Sequence, residues 1–366
     1  MKVRRETGNE NLSVDVKKIQ ELLGIEYDEI QAEAIRKAAT EKILVLTGGP
    51  GTGKTTAIRG IIAAYRAFGL KILLAAPTGR AAKRMTEATG LEAKTIHRLL
   101  DYKPPEGYQK NEETPLDGDV LIVDECSMID IVLMNALLKA VPPGMRLILV
   151  GDINQLPSVG AGNVLRDIID SEVFPVVCLT RIFRQAQSSR IIMNAHRINA
   201  GQMPDISNGE NTDFFFMEQE DPEKVVRTIV ELSAEKLPRY YRVSPYQIQV
   251  LTPMQKGVVG AANLNLALQE ALNPDGKGLH RSGFIYRNGD KVMQLKNNYD
   301  KEVFNGDIGI IESADQQDRT LQVNFDGRIV EYDISELDEL VHAYATTVHK
   351  AQGSEYPIVV MPVLMN

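Results

Sequence analysis

The chain has 366 residues, 43% hydrophobic and 25% charged, with a formal net charge of −8 at pH 7 and two cysteines. That length accommodates on the order of two or three domains with ample core. The acidic balance argues against a passive nucleic-acid coat but not against a local basic groove, and no run approaches the ~20 apolar residues of a membrane span.

The N-terminal MKVRRETGNENL has no apolar segment behind its basic residues and is not a signal peptide. Residues 14–23 read as a short helix ending at Gly24. From Ile25 the pattern alternates. Short apolar runs at 43–46, 72–76, 120–123, 147–150 and 176–179 are separated by helix-length segments. This predicts an α/β fold with a parallel sheet, helices on both faces, and ligands at the carboxyl ends of the strands. Cys126 and Cys178 lie inside apolar stretches and read as reduced, buried residues of a cytoplasmic protein.

The first apolar run feeds GGPGTGKT: Gly48, Gly49, Pro50, Gly51, Thr52, Gly53, Lys54 and Thr55. A helix-compatible segment, 56–68, begins at Thr56. Strand, glycine-rich turn and helix make a P-loop. Its backbone N–H groups cradle phosphate oxygens, Lys54 reaches the terminal phosphates, and the Thr55 hydroxyl suits Mg²⁺. Residues 101–119 break the alternation with prolines and polar residues and read as a protruding hairpin or a surface loop. LIVDECSM then places Asp124 and Glu125 at a strand end. The first carboxylate suits Mg²⁺ and the second polarises an attacking water, which favours hydrolysis. GDINQLPSVG sets Asp152 and Gln155 after the next strand, where a Gln amide can sense a γ-phosphate.

A second alternating region begins near Ile182 and includes a strand at 247–252. Between 284 and 340 short strands at 291–295, 307–313, 321–325 and 328–332 alternate with turns such as Asn305-Gly306 and Asp326-Gly327. That reads as a small antiparallel sheet or barrel inserted in the second α/β region.

GGPGTGKT, APTGRAAKRM, TIHRLL, LIVDECSM, GDINQLPSVG, LTRIFRQ and AYATTVHKAQGSEY, in this order, resemble superfamily 1B DNA helicases of the RecD-like branch. The resemblance covers almost the whole chain from Ile25. It implies two RecA-like P-loop NTPase domains, at 25–182 and at 183–283 plus 341–366, after a helical remnant at 1–24. It also implies a strand-splitting hairpin at 101–119 and an SH3-like barrel at 284–340. By resemblance Gln31 reads adenine, Arg184 is an arginine finger meeting the γ-phosphate across the interdomain cleft, and Glu355 touches the ribose. Pro77, Thr78, Arg80, Thr95 and His97 contact a single DNA strand from one motor domain, and Thr347 and His349 from the other. The implied activity is ATP-driven, Mg²⁺-dependent 5′→3′ movement on single-stranded DNA and at its junctions with duplex, by a monomer with accessory repair or recombination subunits. The family's longer N-terminal region and final arginine motif are not among the 366 residues. The sequence therefore reads as a partial product, with an ATP-dependent strand-binding module lacking motor activity as the alternative. A guanine nucleotide switch is disfavoured because no NKxD-type motif occurs.

Overall fold

All five apolar runs of the first half become strands, because each is long enough to cross a sheet and too apolar to face water. The computed structural model describes residues 12–209, 212–274, 278–298 and 300–363, with only the backbone of Arg184 and Gln185 described. It divides into two compact units. One holds 1–77 and 81–216, the other 78–80 and 217–366.

In chain order the first unit contains α1 (Val16–Leu23), α2 (Glu29–Thr40), β1 (Ile43–Gly48), α3 (Lys54–Ala67), β2 (Ile72–Ala76) and α4 (Gly79–Thr89). Then come β3 (Ala93–Thr95), α5 (Ile96–Leu99), the hairpin strands β4 (Tyr102–Lys103) and β5 (Gly107–Tyr108), and β6 (Val120–Val123). It closes with α6 (Ile131–Ala140), β7 (Arg146–Gly151), α7 (Val164–Asp170), β8 (Val176–Leu179), α8 (Arg184–Gln187) and α9 (Arg190–Asn199). The first two residues of α4 belong to the second unit. Six strands form a parallel sheet in the order β3-β2-β6-β7-β1-β8. Strand periodicity sends alternate residues to opposite faces. Leu44, Ile122 and Ile148 join Ile35, Ile61 and Tyr65 in one core, and Val45, Leu121 and Leu149 join Ile96 and Leu137 in another.

Local chemistry sets the helix ends. Asp28 and Gln31 form a capping box at the start of α2. Gly24, at φ +64°, closes α1. Three findings differ from the sequence reading. Strand β3 was not anticipated. Helices α8 and α9, which the sequence reading gave to the second domain, group with the first unit. Cys178 is exposed while Cys126 is buried, because β8 is the sheet edge.

The second unit contains α10 (Pro222–Glu231), α11 (Leu237–Tyr241), β9 (Ile248–Thr252) and α12 (Ala261–Leu272). Next are β10 (Gly278–Arg281), β11 (Phe284–Arg287), β12 (Lys291–Gln294), β13 (Ile308–Asp315), β14 (Thr320–Phe325) and β15 (Arg328–Asp333). Last come β16 (Leu340–His342), β17 (Ala345–Thr347) and β18 (Ile358–Val360). A parallel sheet runs β17-β9-β18, and the insert is a five-stranded antiparallel sheet, β15-β14-β13-β12-β16. Asp326 and Gly327, both at positive φ, make the tight turn between β14 and β15. Val292, Ile311, Leu321, Val323 and Tyr332 fill the insert's core. Buried Asp290 joins the insert to the α/β elements. It accepts from Gln269 Nε2 (2.6 Å), Asn273 Nδ2 (2.8 Å), the Arg287 amide (2.7 Å) and the Tyr344 hydroxyl (3.0 Å).

Lys291, at the start of β12, is 4% exposed and donates to the carbonyls of Tyr246 (2.9 Å) and Ile248 (3.2 Å). Burial pushes its pKa down from 10.5 to about 8. The unfolded chain therefore binds more protons between those values, and stability rises with pH through that window. The contribution is complete above the unfolded value and lost as pH falls through about 8. Thermal melts from pH 7.5 to 9.5 are expected to show a rise, at most about 1.4 kcal/mol per pH unit. Lys291→Met is expected to lack that rise, and an unchanged slope would refute this account.

Candidate active site

Strands β6, β7 and β1 are neighbours and run parallel, so the segments leaving them meet at one edge of the sheet. From β1 the chain enters the glycine-rich turn. Gly51 and Gly53 lie at φ +73° and +80°, where a side chain is disfavoured. A Cβ on Gly48 would stand 2.7 Å from Thr52 Oγ1 and 2.8 Å from the Leu179 carbonyl oxygen. Thr52 Oγ1 donates to the Gly49 carbonyl at 2.8 Å. Lys54 Nζ donates to the carbonyls of Gly48 (2.5 Å) and Gly49 (3.2 Å). Thr55 and Thr56 lie in the first turn of α3, with Thr55 exposed. Free N–H groups at a helix start favour an anion there.

Asp124 and Glu125 follow β6. The Asp124 amide donates to Ala75 O at 2.9 Å, and its Oδ1 accepts from the Glu125 amide at 2.8 Å. Glu125 has φ +53°, a conformation that costs a non-glycine residue energy and clusters at functional sites. Burial raises the Asp124 pKa. Burial, reinforced by the Asp124 carboxylate, pushes Glu125 up to about 7 against the pull of Lys54 and Arg84. Asp152, after β7, is buried, and Gln155 lies exposed in the same turn with its amide on the Asp152 carbonyl (3.1 Å).

Thr55 and Asp124 supply hard oxygen donors of the kind Mg²⁺ takes alongside phosphate and water. Among the described residues no group of three or more His, Cys, Asp or Glu is placed to hold a metal.

Gln31 is fully buried. Its Oε1 accepts from the Asp28 amide (3.2 Å) and its Nε2 donates to the Gly53 carbonyl (3.2 Å). It therefore ties α2 to the glycine-rich turn, while Nε2 retains a second N–H. The Arg184 side chain lies outside the described residues; its backbone opens α8. Two residues that the sequence reading gave no role stand against the turn. The Phe183 amide donates to Gly51 O (3.3 Å), and His196 Nε2 lies 3.0 Å from Pro50 O. The available signal was the polar–apolar helix RIIMNAHRIN, separated from LTRIFRQ only by residues 186–189.

The expected strand-contact residues fall in both units. Pro77 follows β2. Thr78 and Arg80 group with the second unit, where Arg80 Nη1 donates to Ser354 Oγ (2.6 Å) and Tyr356 OH (3.1 Å). Thr95 is buried and caps α5 by accepting from the Arg98 amide (3.1 Å). The His97 ring packs on Tyr102 and Tyr108 at centroid distances of 5.7 Å, which ties the base of the hairpin to α5. Burial lowers the His97 pKa, and its Nδ1 is buried without a partner. Thr347 ends β17 and accepts from the Lys350 amide (3.4 Å). His349 and Glu355 are exposed on the following segment.

Residues 31–161 match a family described as an AAA domain. Residues 264–325 match the ATP-dependent RecD-like DNA helicase SH3 domain, and 342–366 the UvrD-like helicase C-terminal domain. Over 328 residues the chain is 41% identical to the ATP-dependent RecD2 DNA helicase of Deinococcus radiodurans, covering 90% of this chain and 44% of that protein. It is 30% identical over 376 residues to the RecBCD enzyme subunit RecD of Mycolicibacterium smegmatis, covering 92% and 66%. The chain thus spans only part of the curated relatives it matches. A structure of two Pif1 helicases at forked double-stranded DNA is similar at TM-score 0.56 and 20% identity, covering 92% of this chain and 86% of that one. Bacteroides Pif1 with ADP-AlF3 and single-stranded DNA is similar at TM-score 0.52 and 19% identity, covering 97% and 87%. At such identities the likeness is one of fold. No described helix is long and apolar enough to cross a membrane.

Proposed function

The chain belongs to the RecD-like helicase family, and from that premise we propose that it is an ATP-dependent DNA helicase or translocase. The observation carrying this reading is the Asp124–Glu125 pair at the same sheet edge as the glycine-rich turn. Phosphate sits against the N–H groups of that turn, Lys54 leaves the Gly48 and Gly49 carbonyls for the terminal phosphates, and Gln31 offers its remaining N–H to the adenine edge. Thr55 and Asp124 would hold Mg²⁺, which would supply charge neutralisation for the phosphates. Glu125 takes the proton of the attacking water. A group with pKa near 7 suits that task at neutral pH. Gln155 senses the γ-phosphate and Arg184 stabilises the charge on the transferring group.

The DNA side rests on hydroxyls, amides and basic side chains, which contact phosphates without reading sequence. Pro77, Thr78, Arg80, Thr95 and His97 grip the strand in turn with Thr347 and His349, and the Tyr102–Tyr108 hairpin meets the junction with duplex. Movement runs 5′→3′, by a monomer in the cytoplasm. The deciding experiment measures ATP hydrolysis with and without single-stranded oligonucleotide, then unwinding of duplexes bearing a 5′ or a 3′ tail. Stimulated hydrolysis with unwinding only from the 5′ tail is expected. Nucleotide-dependent strand binding with no turnover would replace the motor by a binding module.

A further inference from the structure

A turn that aims its N–H groups at a phosphate turns its carbonyls outward, because the peptide unit is planar and trans and its N–H points opposite to its C=O. Whatever holds an outward carbonyl therefore aims the next residue's N–H. Each outward carbonyl also needs a partner of its own. The structure supplies partners for each, Gly49 also from Thr52 Oγ1 and Gly53 also from the Ala57 amide. Lys54 Nζ serves Gly48 and Gly49, His196 Nε2 meets Pro50, the Phe183 amide serves Gly51, and Gln31 Nε2 serves Gly53. When Lys54 turns to a phosphate it stops serving its carbonyls. Thr52 on Gly49, Gln31 and the Ala57 amide on Gly53, Phe183 on Gly51 and His196 on Pro50 then remain.

We infer that His196 is a positioning residue of the nucleotide site: by donating from Nε2 to the Pro50 carbonyl it fixes the Pro50–Gly51 peptide plane and aims the Gly51 N–H at the phosphate. The inference rests on the nucleotide-binding reading above. A carbonyl only accepts, so Nε2 carries the proton. The helix that presents the ring is itself held in place. Ser189 caps α9 by accepting from the Ile192 amide (3.2 Å). Asp213 accepts from the Arg190 and Ile191 amides at 2.7 and 3.2 Å. Asn194, 1% exposed, exchanges two hydrogen bonds with the Asp205 backbone at 2.9 and 2.7 Å. Ala186 and Ile192 close on Gly51, where an added Cβ would meet them at 2.6 and 3.3 Å. The donor is thus preorganised by packing and by hydrogen bonds outside the turn, the condition for precise positioning.

The test compares His196→Phe, which keeps an aromatic ring without the donor, with His196→Gln, which keeps an N–H donor. Dissociation constants are measured for a fluorescent ATP analogue and, without nucleotide, for single-stranded oligonucleotide, alongside KM, kcat and thermal melts. His196→Phe is expected to weaken nucleotide binding and raise KM about tenfold, the worth of one hydrogen bond. Strand affinity and kcat at saturation stay within twofold, and His196→Gln restores most of the loss. A His196→Phe protein that binds nucleotide like the parent, or a His196→Gln protein as impaired as His196→Phe, overturns the inference. Lys54→Ala is run beside them. If it too binds nucleotide normally, the nucleotide-site reading itself fails; if it alone loses binding, only the role of His196 falls.

Discussion

Lys54→Ala is expected to lower nucleotide turnover by about a thousandfold or more, to background in an ordinary assay. The side chain is the only cation in the glycine-rich turn, and it stands 2.5 Å from the Gly48 carbonyl at the mouth of α3. Charge on a transferring phosphoryl group develops on its equatorial oxygens, and a preorganised cation there acts in a low-dielectric site. Loss of one such donor costs about two to three powers of ten in kcat, and the weakened hold on the terminal phosphates adds to that. Folding is expected to survive, because Lys54 is only part-buried and Thr52 still donates to Gly49. Turnover is measured by phosphate release with and without oligonucleotide. Residual activity above one tenth of the parent would remove Lys54 from the chemistry.

Glu125→Gln separates binding from hydrolysis. The substitution keeps the shape of the side chain and its place behind Asp124, while removing the base. A fall in kcat of about 10²–10⁴ is expected, the range for a positioned acid or base. Affinity for ATP should hold or improve, because one carboxylate near the phosphates is gone. Rapid-mixing single-turnover measurements check this. Loss of binding in step with turnover would mean that Glu125 shapes the site and does not act on water. Its backbone at φ +53° makes the comparison informative, since Gln meets the same strain and leaves only the ionisable group changed.

Much of the first unit was legible because its strands are largely buried and read as continuous apolar runs. The runs at 72–76, 120–123 and 176–179 coincide with β2, β6 and β8. The glycine-rich turn was legible for a different reason: φ values of +73° and +80° leave almost no residue but glycine. The Asp326-Gly327 turn follows the same rule. Strand β3 was invisible because three residues, one of them Lys94, carry no period. The packing of α8 and α9 in the first unit was not legible because it rests on contacts far apart in the chain, the Phe183 amide on Gly51 O and His196 Nε2 beside Pro50 O. Asp213 holds the start of α9 and Asp205 holds Asn194, and such pairings leave no pattern in the amino-acid order. Gln31 was marked as a functional amide, but its hydrogen bond to Gly53, 22 positions along the chain, leaves no mark in the sequence. Cys178 was misjudged because hydrophobic neighbours reveal a strand but not whether it is the outermost one.

That outermost strand makes the protein a convenient optical probe of its own site. Cys126 is enclosed in the core and its thiol is pushed to a high pKa by burial, whereas Cys178 meets solvent. A maleimide dye should therefore attach at one place without mutagenesis. Cys178 lies opposite Thr47, and the next pair along is Leu179 with Gly48, the first residue of the phosphate-binding turn. A fluorophore there sits one strand away from the glycines, close enough for its emission to report nucleotide arrival in real time.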